Sequence, residues 1–261
     1  MRNLHSLACV LCFAFSIAQN TFANDFVQIP GGEFESVIPE AEGDNLIRVN
    51  GFFLQETPVS NAEFLRFVLH QPHWQRGKAA SLFVDDQYLS SWSHPISMGT
   101  YEAELPVTGV SWFAANAYCQ WKEARLPSWY EWEFAAAASE TLADARSSDD
   151  WRQKILSWYS ESNATQMSPV HSGEANFYGI YDLHGLVWEW VDDANAFMIT
   201  GDNREQGGAD QLQFCGAGAI TMEQKENYAV LMRVALLSSL EARYTTKNLG
   251  FRCARDGQKN Q

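Results

Sequence analysis

Apolar residues recur with two different periods along this chain. Near its start, "FVQIPGGEFESV" alternates apolar and polar positions around Pro30-Gly31-Gly32, which predicts a β-hairpin. "RVNGFFLQETPVS" follows as a strand that stops at Pro58. The period then lengthens. In "SNAEFLRFVLH" Phe64, Phe67 and Val68 share one helical face, and Ser60 and Glu63 have capping-box spacing. "SWFAANAYCQWKEA" predicts a second helix, capped by Ser111, with Ala114, Ala117, Tyr118 and Trp121 as its apolar stripe and Cys119 at the border. "LPSWYEWEFAAAA" predicts a third, with Ser128 as cap, Glu131 completing another capping box, and Trp132, Ala135 and Ala136 pointing one way.

Elsewhere the pattern breaks. Residues 82–110 are interrupted by Ser, Gly and Pro, and residues 139–175 read as polar and irregular. "FYGIYDLHGLVWEWVDD" fits a turn feeding a buried strand, and a second loop spans roughly 193–211. "RVALLSSLEARYT" and "NLGFRCARD" supply the last strand candidates. No internal repeat or low-complexity linker interrupts the chain. The simplest reading is a single α+β domain with long loops.

Composition narrows the function classes. The 261 residues suit one large domain or two small ones, and 10 Trp within a 13% aromatic content imply an aromatic core. A formal charge of −14 and a pI of about 4.8 set the surface against nucleic acid and anionic membranes. They suit a basic protein partner or a divalent cation.

"MRNLHSLACVLCFAFSIAQNTFA" places one Arg before an apolar run and a small residue, Ala23, after it. That is the order of a secretory signal peptide over 1–23, with Ala18 as a second cleavage position and 24–261 as the mature domain. A lipidated Cys9 in "SLAC" would have too short an apolar run before it. No later segment approaches a membrane span. Export is expected, to the periplasm in a diderm bacterium. Cleavage would remove Cys9 and Cys12 and leave Cys119, Cys215 and Cys253. In an oxidising compartment two of these should pair.

"IPGGEF", "ETPVSNAEFLRFV", "PVTGVSWFAANAYCQW", "RLPSWYEWEFAAAA", "FYGIYDLHGLVWEW" and "NLGFRCARD" occur in this order. Together they resemble the sulfatase-modifying-factor family, whose founding members are formylglycine-generating enzymes. The resemblance covers nearly all of the mature chain. It implies a variant of the C-type lectin fold: an irregular α+β domain with little regular secondary structure. It also implies a disulfide between Cys119 and Cys253, because in that family the "AYCxW" cysteine pairs with the "GFRC" cysteine.

Copper-dependent members oxidise a substrate cysteine with two thiolates shortly before a "YRxAAR" stretch. Cu(I) prefers two soft sulfur ligands. Counted back from Arg233-Val234-Ala235, those positions fall near Gln224 and Ala229, or the first falls near Thr221 when "CGAG" is matched instead. Neither alignment gives a cysteine pair. Cys215 is the one thiol of the region, so a copper cofactor is not expected for want of a second thiolate. The iron branch draws histidines from an added helical domain, for which the chain leaves no room. "HQPH" spaces His70 and His73 as metal ligands on a turn, with His94 or His171 as a third.

Other residues are weighed in the same way. Asp182 and Glu189 could form a catalytic acid and base. Against this, Asp182 would fix a turn and Glu189 would accept from buried backbone donors. His184 reads as structural. Where relatives typically carry a calcium-binding Asn this chain has Leu186, which offers no oxygen. Calcium stays open elsewhere, through Asn163 and nearby carbonyls. Trp188 and Trp190 are candidates to line a partner-binding pocket.

Three functions compete: an accessory or maturation factor for an exported protein client or peptide segment, an oxidoreductase modifying a target residue, and a lectin-like peptide- or glycan-binding module. The C-terminal segment also resembles the branch associated with copper nitrite reductase, which implies a periplasmic redox enzyme as client.

Overall fold

The computed structural model describes residues 25–36, 46–99, 102–161, 167–194 and 228–257. Strands β1 (Phe26–Ile29), β2 (Gly32–Glu35), β3 (Leu46–Val49) and β4 (Phe52–Gln55) open the fold. The expected hairpin around Pro30-Gly31-Gly32 does not form, because β1 and β2 do not pair with each other. β1 pairs antiparallel with β4 and β2 with β3, in one shared register (Phe26↔Gln55, Gly32↔Val49). The two pairs stay in separate sheets, and the chain bends between them where Gly31 passes Asn50 and Gly51. Gly31 has φ +74°, and a Cβ there would lie 2.4 Å from the Val49 carbonyl oxygen. Only glycine allows this close crossing.

The helices α1 (Asn61–His70), α2 (Trp112–Trp121) and α3 (Trp129–Ala136) begin at the expected serines. Both capping boxes close: Ser60 with Glu63, and Ser128 with Glu131. Each cap satisfies backbone donors that the first turn leaves open, at about 1 kcal/mol apiece. The buried face of α1 supplies the centre of the core. Phe64 meets Phe67, Trp92, Tyr118 of α2 and Phe251 at ring-centroid distances of 5.3–6.3 Å.

Two expectations for the later chain are corrected. The segment read as irregular contains α4 (Asp149–Glu161), which opens on Asp149 and Asp150 and buries Ile155. Acidic residues in the first turn complement the helix dipole. The strand expected across "RVALLSSLEARYT" is instead the end of helix α5 (Tyr228–Ser238), followed by turns. Strands β5 (Trp188–Trp190) and β6 (Leu249–Phe251) pair in parallel. Strand β7 (Ala254–Asp256) returns to the edge of β4 and completes a three-stranded sheet ordered β1-β4-β7.

A disulfide joins Cys119 of α2 to Cys253, across a sequence separation of 134. Both cysteines are fully buried. Beside it Arg125 holds Glu131 and Asp256, both at 2.7 Å, tying the start of α3 to β7.

Candidate functional site

The segment 181–190 carries most of the side chains singled out in the sequence. Asp182 stands in the left-handed region at φ 56°. Its carboxylate accepts the backbone N–H of His171 at 2.5 Å and of Gly173 at 3.2 Å. It thus pins a neighbouring loop, as a turn-fixing Asp would.

Glu189 is fully buried. It accepts from side chains and not from the backbone donors expected of it. The Trp132 indole N–H reaches its Oε2 at 2.8 Å, and the Arg252 guanidinium meets both carboxylate oxygens at 2.8–3.1 Å. Arg252 spends its remaining donors on the carbonyls of Gln55, Glu56 and Tyr181. A buried ion pair survives only when its remaining hydrogen-bonding capacity is met, and here it is. The pair locks β5 to the last strands and to the end of β4. One carboxylate thus holds a loop, and the other is committed to a guanidinium and an indole.

Arg233, from α5, is also buried. Its guanidinium carbon lies 3.6 Å from the Trp132 ring centroid, and it donates to the Glu189 carbonyl. In the sequence it stands only as part of the Arg233-Val234-Ala235 stretch. Its role as a buried cation has no local signature, since it depends on a ring a hundred residues away.

His184 donates from Nε2 to the Ala136 carbonyl at 2.8 Å and packs edge-on against Trp132 and Trp151. Its Nδ1 is buried and meets no protein partner. Burial pulls its pKa down to about 4, and the charges of Arg233 and Arg252 push the same way. The ring is therefore neutral across the physiological range. Trp190 is 1% exposed and donates to the Val110 carbonyl at 3.0 Å, so it belongs to the core. Trp188 is only half-buried, against Trp158 of α4, and of the two it alone reaches the surface. Trp158 also lies against Gly185, next to the half-buried Leu186.

The histidines proposed as ligands are held by separate local contacts. His70 bonds the Arg66 carbonyl of its own helix, and His73 packs on Trp74. His94 bridges to Ser97, and His171 packs edge-on against Tyr181. Among the described residues no three His, Cys, Asp or Glu side chains come together as a metal site. Cys215, Asn163, Thr221 and Gln224 lie outside the described residues, as does 1–23, and Ala229 falls on α5. A shallow recess of about 170 Å³ opens elsewhere, between β2 and α3, lined by Gly32, Phe34, Phe134, Ala143 and Tyr178.

The profile of the sulfatase-modifying factor enzyme 1-like domain matches residues 14–257. The chain belongs to that family. Among its relatives, the mouse protein named inactive C-alpha-formylglycine-generating enzyme 2 is 27% identical, over 87% of this chain and 84% of its own length. The formylglycine-generating enzyme of Streptomyces coelicolor is 29% identical, over 88% of each. The structure of PvdO from Pseudomonas aeruginosa superposes with a TM-score of 0.46 at 16% identity, covering 89% of this chain and 94% of that one. Within this sulfatase-modifying-factor domain, Glu189, Arg252, Arg233 and Trp132 form a buried scaffold under the surface that Trp188 reaches. No described helix is long and apolar enough to cross a membrane.

Proposed function

We propose that this sulfatase-modifying-factor protein is exported and serves as an accessory or maturation factor for another exported protein, without two-thiolate copper chemistry. One observation carries the reading. After the proposed cleavage at Ala23, Cys215 is the single thiol in the sequence outside the Cys119–Cys253 disulfide. One thiolate cannot supply the two sulfurs that select Cu(I). The commitment of Glu189 and Asp182 to structural partners supports the same reading, as does a family relative named as inactive. The resemblance of the C-terminal segment to the nitrite-reductase-associated branch suggests a periplasmic redox enzyme as client.

The test uses purified mature protein with Cu(I), oxygen and a sulfatase-type cysteine peptide. No aldehyde is expected. Pulldown from periplasmic extract should recover one specific exported protein. Formylglycine produced at a useful rate would overturn the proposal. It would favour the second reading, an oxidoreductase modifying a target residue, which draws on the Streptomyces relative.

A further inference from the structure

Asn50 and Gly51 join β3 to β4, at the bend where Gly31 crosses the chain. Asn50 is the one asparagine of the sequence followed by glycine, and Asp256 is the one aspartate. The two dipeptides share a chemistry. The backbone nitrogen of the glycine can attack the side-chain carbonyl of the residue before it, because glycine has no Cβ to obstruct the approach. The fold sets them side by side. Phe52 is in register with Asp256, and a Cβ on Gly257 would lie 2.1 Å from the Gly51 carbonyl oxygen.

The structure treats the two differently. The Asp256 carboxylate is held by Arg125, with Nη2 at 2.7 Å and Nε at 2.8 Å. A carboxylate engaged in an ion pair is a poor acceptor for a nitrogen nucleophile. Asn50 and Gly51 are both exposed. Among the described residues neither the Asn50 side-chain amide nor the Gly51 N–H has a hydrogen-bond partner. Electrophile and nucleophile are thus adjacent, unengaged and open to water.

We propose that Asn50 is a site of spontaneous covalent modification, deamidation through a succinimide, and that its isoaspartate product loosens the junction of the two sheets. The Gly51 nitrogen attacks Cγ of Asn50, a C–N bond forms, and the side-chain nitrogen leaves as ammonia with the proton from Gly51. Water then opens the ring. Opening at the Cγ bond gives Asp, and opening at the main-chain carbonyl bond gives isoaspartate. Water is consumed and ammonia released, with no oxidant or cofactor. Isoaspartate lengthens the backbone by one carbon, about 1.5 Å. The bend has no slack for it: a Cβ on Gly31 would lie 2.4 Å from the Val49 carbonyl oxygen, and one on Gly51 would lie 3.1 Å from that of Pro30. Both β1–β4 and β2–β3 pairing start from this bend. The site stands apart from the accessory-factor reading, since it needs no client.

The test holds the intact folded chain at mildly alkaline pH and follows it by peptide mapping. Asp and isoaspartate should accumulate at position 50 ahead of every other asparagine. An isoaspartyl carboxyl methyltransferase with labelled methyl donor should label position 50 and leave position 256 unlabelled. Asn50→Gln places the carbonyl one carbon further from the nitrogen and should lose the label. Chains enriched in isoaspartate should unfold at lower urea than the parent. Freshly prepared Asn50→Asp brings the same charge without the added carbon and should unfold with the parent. The proposal is overturned if Asn50 stays intact in the folded chain, if position 256 is labelled as readily, or if the isoaspartate chains and Asn50→Asp unfold at the same midpoint.

Discussion

Arg252 and Glu189 face each other with no solvent exposure on either side chain, at 2.8 Å, 63 positions apart in sequence. Breaking such a pair from one side strands a buried charge. Glu189→Gln should cost roughly 3–5 kcal/mol, read as a lower urea midpoint at unchanged m-value. If the variant were as stable as the parent and lost only client binding, Glu189 would belong to the binding site and not to the scaffold.

The disulfide should act through the unfolded chain. Cross-linking positions 134 apart constrains a long loop, worth about 3–5 kcal/mol in the chain-entropy model. Cys253→Ser should lose most of that, and Cys215→Ser much less. Non-reducing peptide mapping should recover Cys119 linked to Cys253. Recovery of Cys215 linked to either one would sink the assignment.

His184 should make stability fall in mild acid. Its folded pKa of about 4 lies below the ordinary 6.5, so the unfolded chain takes up the proton first. Its effect is absent above pH 6.5 and grows as pH falls towards 4, to roughly 3 kcal/mol at most. Burial pushes the Asp193 carboxyl up, which works in the opposite sense. The informative comparison is therefore with His184→Gln, which keeps a donor for Ala136. Its urea midpoint should change less between pH 7.5 and pH 4.5 than the parent's. Equal pH dependence in the two proteins would count against the buried neutral ring.

Export predicts a shortened chain. Intact mass of the protein from its native compartment should begin near Asn24, after cleavage at Ala23 or, less far along, at Ala18. A mass that retains the residues before Ala18 would refute the signal-peptide reading.

Local chemistry made some of the fold legible and left the rest hidden. The pairs Ser60/Glu63 and Ser128/Glu131 announce helix starts because a capping box is complete within four residues. The bend at Gly31 is invisible in the same way, because it answers to the backbone of Val49 and Asn50. Helix α4 did leave a signal: Trp151, Ile155 and Trp158 recur at helical spacing, but Ser and Asp around them suggested a loop. For "RVALLSS" a short apolar run fits a buried helix and a buried strand alike, and only packing decides. At the candidate site the sequence pointed to Glu189 but not to its partners. Trp132 and Arg252 approach from distant parts of the chain, and no spacing encodes that meeting.

The return of β7 to the edge of β4 bears on the order in which the protein can be assembled. Residues 249–256 bring the partner of Glu189, the second half of the disulfide and the third strand of the sheet. Nothing earlier in the chain can substitute for them. A nascent polypeptide lacking these residues has its helices but cannot close its core, and long-range closure of this kind is slow. On the proposed export route such a chain would still be open while it crosses the membrane, and it would commit to its final shape only after its last strand had arrived.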